Sequence, residues 1–264
     1  MNRSELLRSI QQRGYGGVAD LALEFGVTPS TIRRHLDVLQ QRGVIERRHG
    51  GVEAVTTAAE LPYAAKESER HPQKQALAFG VAHRIGQGQS VFLDSGSTVL
   101  EVAKALRLHM GLTVVTNDIR VANEVASHGQ SRLIVIGGEQ LPSVHTLSGP
   151  DSIRQIQELR VDVAVLSADA VDAHSVTNAS SEEVAMKRAM IDSARARYLV
   201  ADSSKFERTL LIKVCDLSEF TLGITDTGLD PIVAAHYPIP MIRVPVHQQD
   251  GTARREGPDD LPRS

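Results

Sequence analysis

Short apolar segments alternate with helical segments through most of the chain, from about residue 73 to residue 245. The apolar segments are nearly continuous, as in buried strands, and the intervening segments carry apolar residues at helical spacing. This alternation is typical of a mostly parallel sheet covered by helices on both faces. The strands are predicted at 90–94, 112–116, 132–136, 161–166, 198–201, 220–224 and 241–244. The sequence therefore predicts the α/β fold class, with a larger Rossmann-like domain over residues 73–245.

Polar residues follow five successive predicted strands at the point where each strand ends. The carboxyl ends of parallel strands meet at one edge of the sheet, and ligands bind at that edge in open α/β folds. One polar loop after a strand is common in any protein, so the prediction rests on all five together. We expect a pocket for a phosphorylated polyol or sugar, formed by Asp94, Ser95, Gly96, Ser97, Thr98, Thr116, Asn117, Gly137, Gly138, Asp169 and Lys205.

The first of these loops has the features of an anion site. Gly96 lies in a short loop that enters a helix, where backbone N–H groups, hydroxyls and the positive helix end attract phosphate. Asp94 would repel phosphate, so a sugar hydroxyl or a backbone donor is its expected partner. We expect Lys205 to supply positive charge to the ligand, with Lys187 on the predicted helix 182–194 as a second candidate.

The composition argues against several other kinds of site. A nicotinamide site is not expected, because Gly86 and Gly88 precede a strand and Val91 stands where a third glycine is needed. We expect no metal and no cofactor, since Cys215 is the single cysteine and the ten histidines show no ligand spacing. No segment has the length of a membrane span or the pattern of a signal peptide, so we expect no membrane partner and a cytoplasmic location.

The N-terminal residues predict a different kind of module, built around a helix at residues 28–39. Thr28 suits the N-cap and Pro29 the first helical position. Ile32, Leu36 and Leu39 form one apolar face. The hydroxyls and arginines away from that face suit contacts with DNA phosphates and bases. These DNA-binding candidates are Ser30, Thr31, Arg33 and Arg34.

The flanking segments complete a winged helix-turn-helix. Helices are predicted at 4–13 and 18–25, and three residues link the second of these to the helix at 28–39. Two short extended runs over 44–52 predict a β-wing that places Arg47, Arg48 and His49 near the DNA backbone. The net charge of the chain is only −3, so DNA binding depends on this local cluster of arginines. A helical packing module with solvated arginines remains the alternative.

These patterns divide the chain into four parts. Residues 1–57 are predicted to form the winged helix-turn-helix domain, with the helix-turn-helix at about 18–39. Residues 58–72 form a linker, and residues 73–245 form the α/β sensor domain. Residues 246–264 are polar, contain glycine and proline, and are predicted to be disordered.

The two halves together resemble the DeoR family of bacterial transcription regulators. The N-terminal resemblance lies in Thr31-Ile32-Arg33-Arg34 and in Arg47-Arg48-His49-Gly50-Gly51, with His35 where the family usually has aspartate. The C-terminal resemblance lies in DSGST, VVTND, VIGGE and DSSKF, although Ala170 stands where the family often has glycine. The resemblance implies a fold similar to ribose-5-phosphate isomerase, a phosphorylated sugar effector held by Ser95 to Thr98, and a homo-oligomer, either dimer or tetramer.

Two function classes follow from these observations. The first is a sequence-specific DNA-binding transcriptional regulator, expected from the family to repress a carbohydrate-metabolism operon under the control of a phosphorylated sugar. The second is a sugar-phosphate aldose–ketose isomerase with an accessory helical module. Isomerisation needs a positioned general base, and Asp169 and Glu182 lie in no motif that supports this role. We therefore expect no catalysis.

Overall fold

The computed structural model describes residues 5–7, 9–10, 15–41, 45–48, 51–54, 69–128, 130–141, 144–179 and 181–246 of the chain. Two parts are described separately below. The N-terminal module comprises the described residues between 5 and 54, and the α/β domain comprises those between 69 and 246. The predicted disordered tail falls almost wholly on residues 247–264, which lie outside the described residues.

The N-terminal module consists of short helices and a small antiparallel sheet. Residues 5–7 and 9–10 are helical, and the elements that follow are β1 (Tyr15–Gly17), α1 (Val18–Glu24), α2 (Pro29–Gln41), β2 (Ile45–Arg48) and β3 (Gly51–Ala54). Strand β3 lies between β1 and β2 and is antiparallel to both. The apolar face predicted for α2 packs into a core in which Leu6, Ile10, Leu21, Ile32 and Leu36 are fully buried.

Local interactions fix the end of α1 and the start of α2. Gly26 has a φ of 62°, and the N–H of Val27 donates to the carbonyl of Ala22 at 3.0 Å, which closes α1 as a Schellman motif does. Thr28 Oγ1 accepts a hydrogen bond from the N–H of Thr31 at 3.3 Å. The predicted helix stop and N-cap are therefore confirmed. The wing is confirmed as the hairpin of β2 and β3.

Strand β1 is an element that the sequence did not predict. Its residues are Tyr15, Gly16 and Gly17, which carry no alternation of apolar and polar side chains. Pairing with β3 alone produces this strand, with Gly16 opposite Val52. The predicted two-stranded wing is thus part of a three-stranded sheet.

The α/β domain contains the predicted alternation of helices and strands. Its helices are α3 (His71–Ala82), α4 (Ser97–Ala105), α5 (Ile119–His128), α6 (Pro150–Gln157), α7 (Val184–Ser193) and α8 (Pro231–Ala235). Its strands are β4 (Ser90–Leu93), β5 (Thr113–Thr116), β6 (Arg132–Val135), β7 (Glu139–Gln140), β8 (Leu147–Ser148), β9 (Val161–Ser167), β10 (Ala170–Val171), β11 (Ser175–Asn178), β12 (Ala194–Val200), β13 (Ile212–Asp216), β14 (Leu222–Asp226) and β15 (Met241–Val244). None of the helices that the structure describes has the length and apolar character needed to cross a membrane.

Seven of these strands form one parallel sheet in the order β15-β14-β12-β9-β4-β5-β6. The chain runs outward from β4 through β5 to β6 and then returns to place β9 on the other side of β4. The strand order therefore reverses between β4 and β9. In open α/β sheets, this switch point opens a crevice at the carboxyl ends of the strands.

The sheet has a buried apolar layer on each face. Along β4, Val91 and Leu93 belong to the layer that includes α3 and α4, while Phe92 belongs to the layer that includes α7. This division follows from the two-residue period of side chains along a strand. All three side chains are fully buried, so the strand next to the switch point is held from both faces.

Two further small sheets were not predicted. Strands β10, β11 and β13 form an antiparallel three-stranded sheet, and β7 and β8 form an antiparallel pair. Several of these strands have only two residues, too few for a periodic signal.

Helix α3 begins two residues before the predicted start of the sensor domain at residue 73. The predicted linker extended to residue 72, whereas Pro72 lies in the first turn of α3. Proline is tolerated there because the first N–H groups of a helix have no intrahelical partner. The linker therefore ends at Arg70, and residues 58–68 lie outside the described residues.

We expect Phe92→Ala to destabilise the α/β domain by about 3–5 kcal/mol, because it leaves a cavity in the central strand. Urea denaturation of the purified protein measures the change. Phe79→Ala is the matched control, since the Phe79 side chain on α3 is 62% exposed. Equal losses for the two variants would contradict the assignment of Phe92 to the core.

Candidate functional site

A cavity of about 70 Å³ lies at the switch point of the large sheet. Its walls include Ser95 to Thr98 after β4, Ser167 to Asp169 at the end of β9, and Lys205 after β12. The further lining residues are Glu69, Arg70, Lys74, Val144, Thr146, Asn178, Glu183, Lys187, Asp202 and Ser204. The volume is sufficient for several water molecules. The lining is strongly polar and contains four acidic and four basic side chains.

The N-terminus of α4 forms one part of the wall. Gly96 is its N-cap residue, with a φ of 113° that favours glycine. No side chain caps the helix, and Ser97 and Thr98 of its first turn line the cavity. The first N–H groups of a helix lack intrahelical acceptors and favour an anion. This wall therefore has the backbone geometry of an anion site.

Asp118 limits which backbone groups are available to an anion. Its carboxylate accepts hydrogen bonds from the N–H groups of Arg120 and Val121 in the first turn of α5, and from that of Gly96 at 3.3 Å. Burial raises the pKa of Asp118, although the backbone hydrogen bonds act in the opposite direction. The Gly96 N–H is thus committed to the protein and is not available to an anion.

A buried ion pair joins α7 to the end of β4. Lys187 Nζ contacts Asp94 Oδ2, and both side chains are almost fully buried. The same Asp94 oxygen accepts from the N–H of Ser167 at 3.0 Å and from its hydroxyl at 3.1 Å. Burial lowers the pKa of Lys187, but the nearby charges of Asp94 and Glu183 outweigh it and the net pKa is raised. Lys187 is therefore charged and committed to Asp94.

A second buried carboxylate connects three segments around the cavity. Glu183 Oε1 accepts a hydrogen bond from the hydroxyl of Ser95 at 2.9 Å and another from the hydroxyl of Thr146 at 2.8 Å. Ser95 follows β4, Thr146 precedes β8, and Glu183 precedes α7. The carboxylate thus fixes the loops that form the rim.

Arg70, at the end of the linker, is held inside the same site. Its Nε lies 2.7 Å from Asp202 Oδ1, and its Nη2 donates to the hydroxyl of Ser203 at 2.8 Å. Arg70 has a φ of 53°, an uncommon conformation for a residue other than glycine. Asp202 also accepts from the N–H of Ser204, and so caps the turn that carries Lys205. The linker end and the Lys205 turn therefore share one carboxylate.

Several polar groups of the lining have no hydrogen-bond or ion-pair partner in the part of the chain that the structure describes. Among them are the ammonium of Lys205, the hydroxyl of Thr98 and the side-chain oxygen of Asn178, which is buried. Lys205 and Thr98 suit an anion, and the Asn178 oxygen is an acceptor. Within the same described ranges, no cluster of three or more His, Cys, Asp or Glu side chains is arranged to hold a metal ion.

The predicted ligand residues divide into two sets. Those that line the cavity are Ser95, Gly96, Ser97, Thr98, Asp169, Lys187 and Lys205. Those that do not line it are Asp94, Thr116, Asn117, Gly137 and Gly138. Asp94 acts through Lys187 and Ser167, and has the backbone partner that the sequence analysis expected.

The other four residues of the second set follow β5 and β6, on one side of the switch point. Thr116 Oγ1 accepts from the N–H of Asp118, and Asn117 donates to the carbonyl of Leu147. The carbonyl of Gly137 accepts from Ser152. Gly138 has a φ of 152°, and a Cβ there would lie 2.5 Å from the carbonyl oxygen of Ser148. All four stabilise loops beside the site.

Eleven of the eighteen lining residues were not among the predicted ligand residues, and four of them illustrate why. Arg70, Thr146, Asn178 and Glu183 follow none of the strands of the large sheet that were used to select candidates. Glu183 begins a predicted helix and Arg70 ends the linker, so neither position gave a signal. Asn178 ends β11, a strand that the sequence analysis did not predict.

The surface of α2 presents most of the predicted DNA-binding residues. Ser30, Arg33 and Arg34 are exposed, and Thr31 is half-buried. Arg47 of the wing forms an ion pair with Asp37 of α2, which links the two elements. The side chain of Arg48 and the whole of His49 lie outside the described residues.

We expect Lys187→Met to destabilise the α/β domain by about 3–5 kcal/mol, because it leaves the Asp94 carboxylate buried without its counter-charge. Lys213→Met is the matched control. Lys213 is 54% exposed and pairs with Asp216 at the surface, so its loss should change the stability little. Urea denaturation measures both. A loss for Lys187→Met no larger than the control's would show that the ion pair does not hold α7 to β4.

Comparison with known proteins identifies both parts of the chain. The DeoR-like helix-turn-helix domain matches residues 3–58, and the DeoR C terminal sensor domain matches residues 69–227.

Curated relatives match both parts in one alignment. The glycerol-3-phosphate regulon repressor of Escherichia coli (strain K12) is 32% identical over 84% of this chain and 88% of its own. The repressor of the same name from Haemophilus influenzae is 33% identical over 83% of this chain and 86% of its own. The transcriptional repressor AccR of Agrobacterium fabrum is 31% identical over 87% of this chain and 89% of its own.

Among solved structures, ribose 5 phosphate isomerase A from Neisseria gonorrhoeae is similar over 50% of this chain and 52% of its own, with a TM-score of 0.38 and 14% identity. A likeness of this extent decides nothing about activity. The family matches and the names of the curated relatives instead support regulation. The chain belongs to the DeoR family: it is a transcriptional regulator with a helix-turn-helix domain and a C-terminal sensor domain, and it is not an enzyme.

Proposed function

We propose that this protein is a repressor whose affinity for operator DNA is controlled by a phosphorylated sugar or polyol bound in the cavity of the α/β domain. The observation that carries the proposal is the anion site at the switch point. The uncapped N-terminus of α4 meets a cavity that Lys205 also lines, and Lys205 has no ion-pair partner among the described residues. A phosphate group satisfies both the helix end and the free ammonium.

The other charged side chains of the cavity favour a ligand that carries one phosphate and uncharged polar groups. Lys187 is neutralised by Asp94, and Arg70 by Asp202. Asp169 and Glu183 add acceptors rather than donors. One phosphate with attached hydroxyl groups fits this balance better than a second anionic group. Relatives named glycerol-3-phosphate regulon repressors agree with this class of effector.

The N-terminal module supplies the DNA-binding surface of the proposal. We infer that α2 enters the major groove, where Arg33 and Arg34 contact phosphates or guanine edges and Ser30 and Thr31 contact phosphates or bases. The wing would place Arg47, with Arg48 and His49, along the backbone. The ion pair between Arg47 and Asp37 supports a fixed angle between wing and helix.

The linker end suggests how the ligand affects DNA binding. A ligand changes DNA affinity only through its different affinities for the two arrangements of the protein. Glu69, Arg70 and Lys74 line the cavity, so the segment that leads from the linker into α3 is placed to contact a bound ligand. We infer that an anion near Lys205 competes with Asp202 for Arg70, and so changes the path of the linker.

The proposal includes assembly and location. Helix-turn-helix proteins commonly bind two operator half-sites as dimers, so we infer a homo-oligomer, either dimer or tetramer. Its DNA lies in the cytoplasm, and we place the protein there.

Fluorescence anisotropy of the full chain with duplex DNA from upstream of its own gene tests the proposal. We expect specific binding that weakens steeply with salt and changes with one phosphorylated sugar or polyol from a panel. Thr98→Val should retain DNA binding and lose the response to the ligand, because it removes a hydroxyl at the anion site. Thr113→Val, at the opposite end of the strands, is the control and should respond as the wild type does. Specific DNA binding that no phosphorylated compound alters would refute the proposed effector site. Absence of specific DNA binding would refute the proposal that the protein binds an operator.

We expect Arg34→Ala to weaken operator binding by about 1–3 kcal/mol and to relax sequence preference, if the guanidinium contacts a base edge. Competition with mutated operators at constant salt measures both effects. Arg84→Ala removes an arginine whose guanidinium donates to the carbonyl of Gly80 in the α/β domain, and serves as the control. Wild-type affinity in Arg34→Ala would exclude Arg34 from the groove.

A further inference from the structure

Asn178 presents a buried hydrogen-bond acceptor at the wall of the cavity. The residue is 3% exposed, and its Oδ1 has no hydrogen-bond partner in the part of the chain that the structure describes. Most buried side-chain oxygens in proteins are paired, because an unpaired one has lost its hydration without gaining a partner in return. Because Asn178 also lines the cavity, a ligand bound there is placed to supply the missing donor.

The backbone around Asn178 is rigid, which directs the side chain. Strand β11 pairs with β10 on one side and with β13 on the other, where Asn178 lies opposite Ile212. The neighbouring Thr177 hydroxyl accepts from the N–H of Leu210 at 2.9 Å, and anchors the strand further. The terminal side-chain torsion of Asn178, χ2, has no narrow preference, so the amide can rotate to meet a group of the ligand.

Other lining residues do not supply the missing donor. The Ser95 and Thr146 hydroxyls both donate to Glu183, and the ammonium of Lys187 contacts Asp94 and Ser167. The donors of the anion site are the N-terminus of α4 and Lys205, which a phosphate would occupy.

We propose that Asn178 accepts a hydrogen bond from a hydroxyl group of the ligand and so distinguishes a hydroxylated phosphate ester from phosphate alone. The inference rests on the proposed effector site and adds a specificity-determining residue to it. The chemical class of the ligand is then a phosphate ester with a free hydroxyl group within reach of β11. The phosphate group binds at the N-terminus of α4, and Asn178 accepts a hydrogen bond from a hydroxyl group on the carbon chain of the ligand.

Titration calorimetry with the full chain tests this inference. The probes are glycerol 3-phosphate, ribose 5-phosphate and glucose 6-phosphate, compared with n-propyl phosphate and inorganic phosphate, which lack carbon-bound hydroxyls. In Asn178→Leu we expect about tenfold weaker binding of the hydroxylated ester that the wild type prefers, the effect of one hydrogen bond. Binding of n-propyl phosphate and inorganic phosphate should stay within roughly twofold of the wild type.

Thermal denaturation separates this role from a structural one. Leucine has a similar size and removes the unpaired oxygen, so the melting temperature of ligand-free Asn178→Leu should equal or exceed that of the wild type. Asn178→Ala, which introduces no new contact, should show the same selective loss of ester binding. Asn123→Leu, an exposed asparagine on α5, is the surface control.

Three results would overturn the inference. Unchanged ester binding in both Asn178 variants would assign the oxygen to a trapped water. An equal loss for every probe, with a lower melting temperature, would assign Asn178 to the fold. Failure of the wild type to bind any of the three esters, while it binds DNA specifically, would refute the proposed effector class itself and the role of Asn178 with it.

Discussion

The buried contact between Asp94 and Lys187 is the interaction on which the site depends. It joins the end of β4 to α7, and Ser167 at the end of β9 adds two hydrogen bonds to the same carboxylate oxygen. These strands are the two neighbours between which the strand order reverses. Parallel strands diverge at such a point, so a charged crosslink there sets the width of the crevice.

This contact also reduces the positive charge that the cavity offers to a ligand, although four basic side chains line it. The Lys187 charge serves the fold, and the Arg70 charge is shared with Asp202 and the linker end. Lys74 also has a partner within the protein, so Lys205 and the N-terminus of α4 remain for a ligand. The uncommitted positive charge therefore matches a single phosphate, and the carboxylates of Asp169 and Glu183 disfavour a ligand with a second anionic group.

Much of the fold follows from the sequence because its signals are local. Each long strand of the large sheet carries its own apolar run, and the caps around Gly26 and Thr28 depend on residues within one turn. The order of the strands is not local. Strand β4 lies beside β9, whose residues are about 70 positions away, and nothing in either segment indicates the other.

Because the strand order could not be predicted, the sequence analysis could not tell which of the polar loops reach the cavity. All five polar loops lie at the correct edge of the sheet, but only those after β4, β9 and β12 reach the cavity. The loops after β5 and β6 instead contact the segments that form the cavity wall, as the hydrogen bonds of Asp118 to Gly96 and of Asn117 to Leu147 show. Asn178 was missed because β11 exists only through its pairing with β10 and β13. Arg70 was missed because Asp202, the acid that receives its guanidinium, lies about 130 positions along the chain.

The position of Arg70 also constrains how a signal leaves the cavity. Asp202 Oδ1 contacts the Arg70 guanidinium and also accepts from the N–H of Ser204 in the turn that carries Lys205, so we infer that an anion bound at Lys205 would disturb both contacts. Attraction between the anion and Arg70 would weaken the contact with Asp202, and the uncommon backbone conformation of Arg70 would then lose one of its restraints. Because the next residues toward the N-terminus belong to the linker, a change in this single residue alters the direction in which the linker leaves the α/β domain. Coupling of ligand to DNA would then require no rearrangement of the large sheet, which its two apolar layers hold fixed.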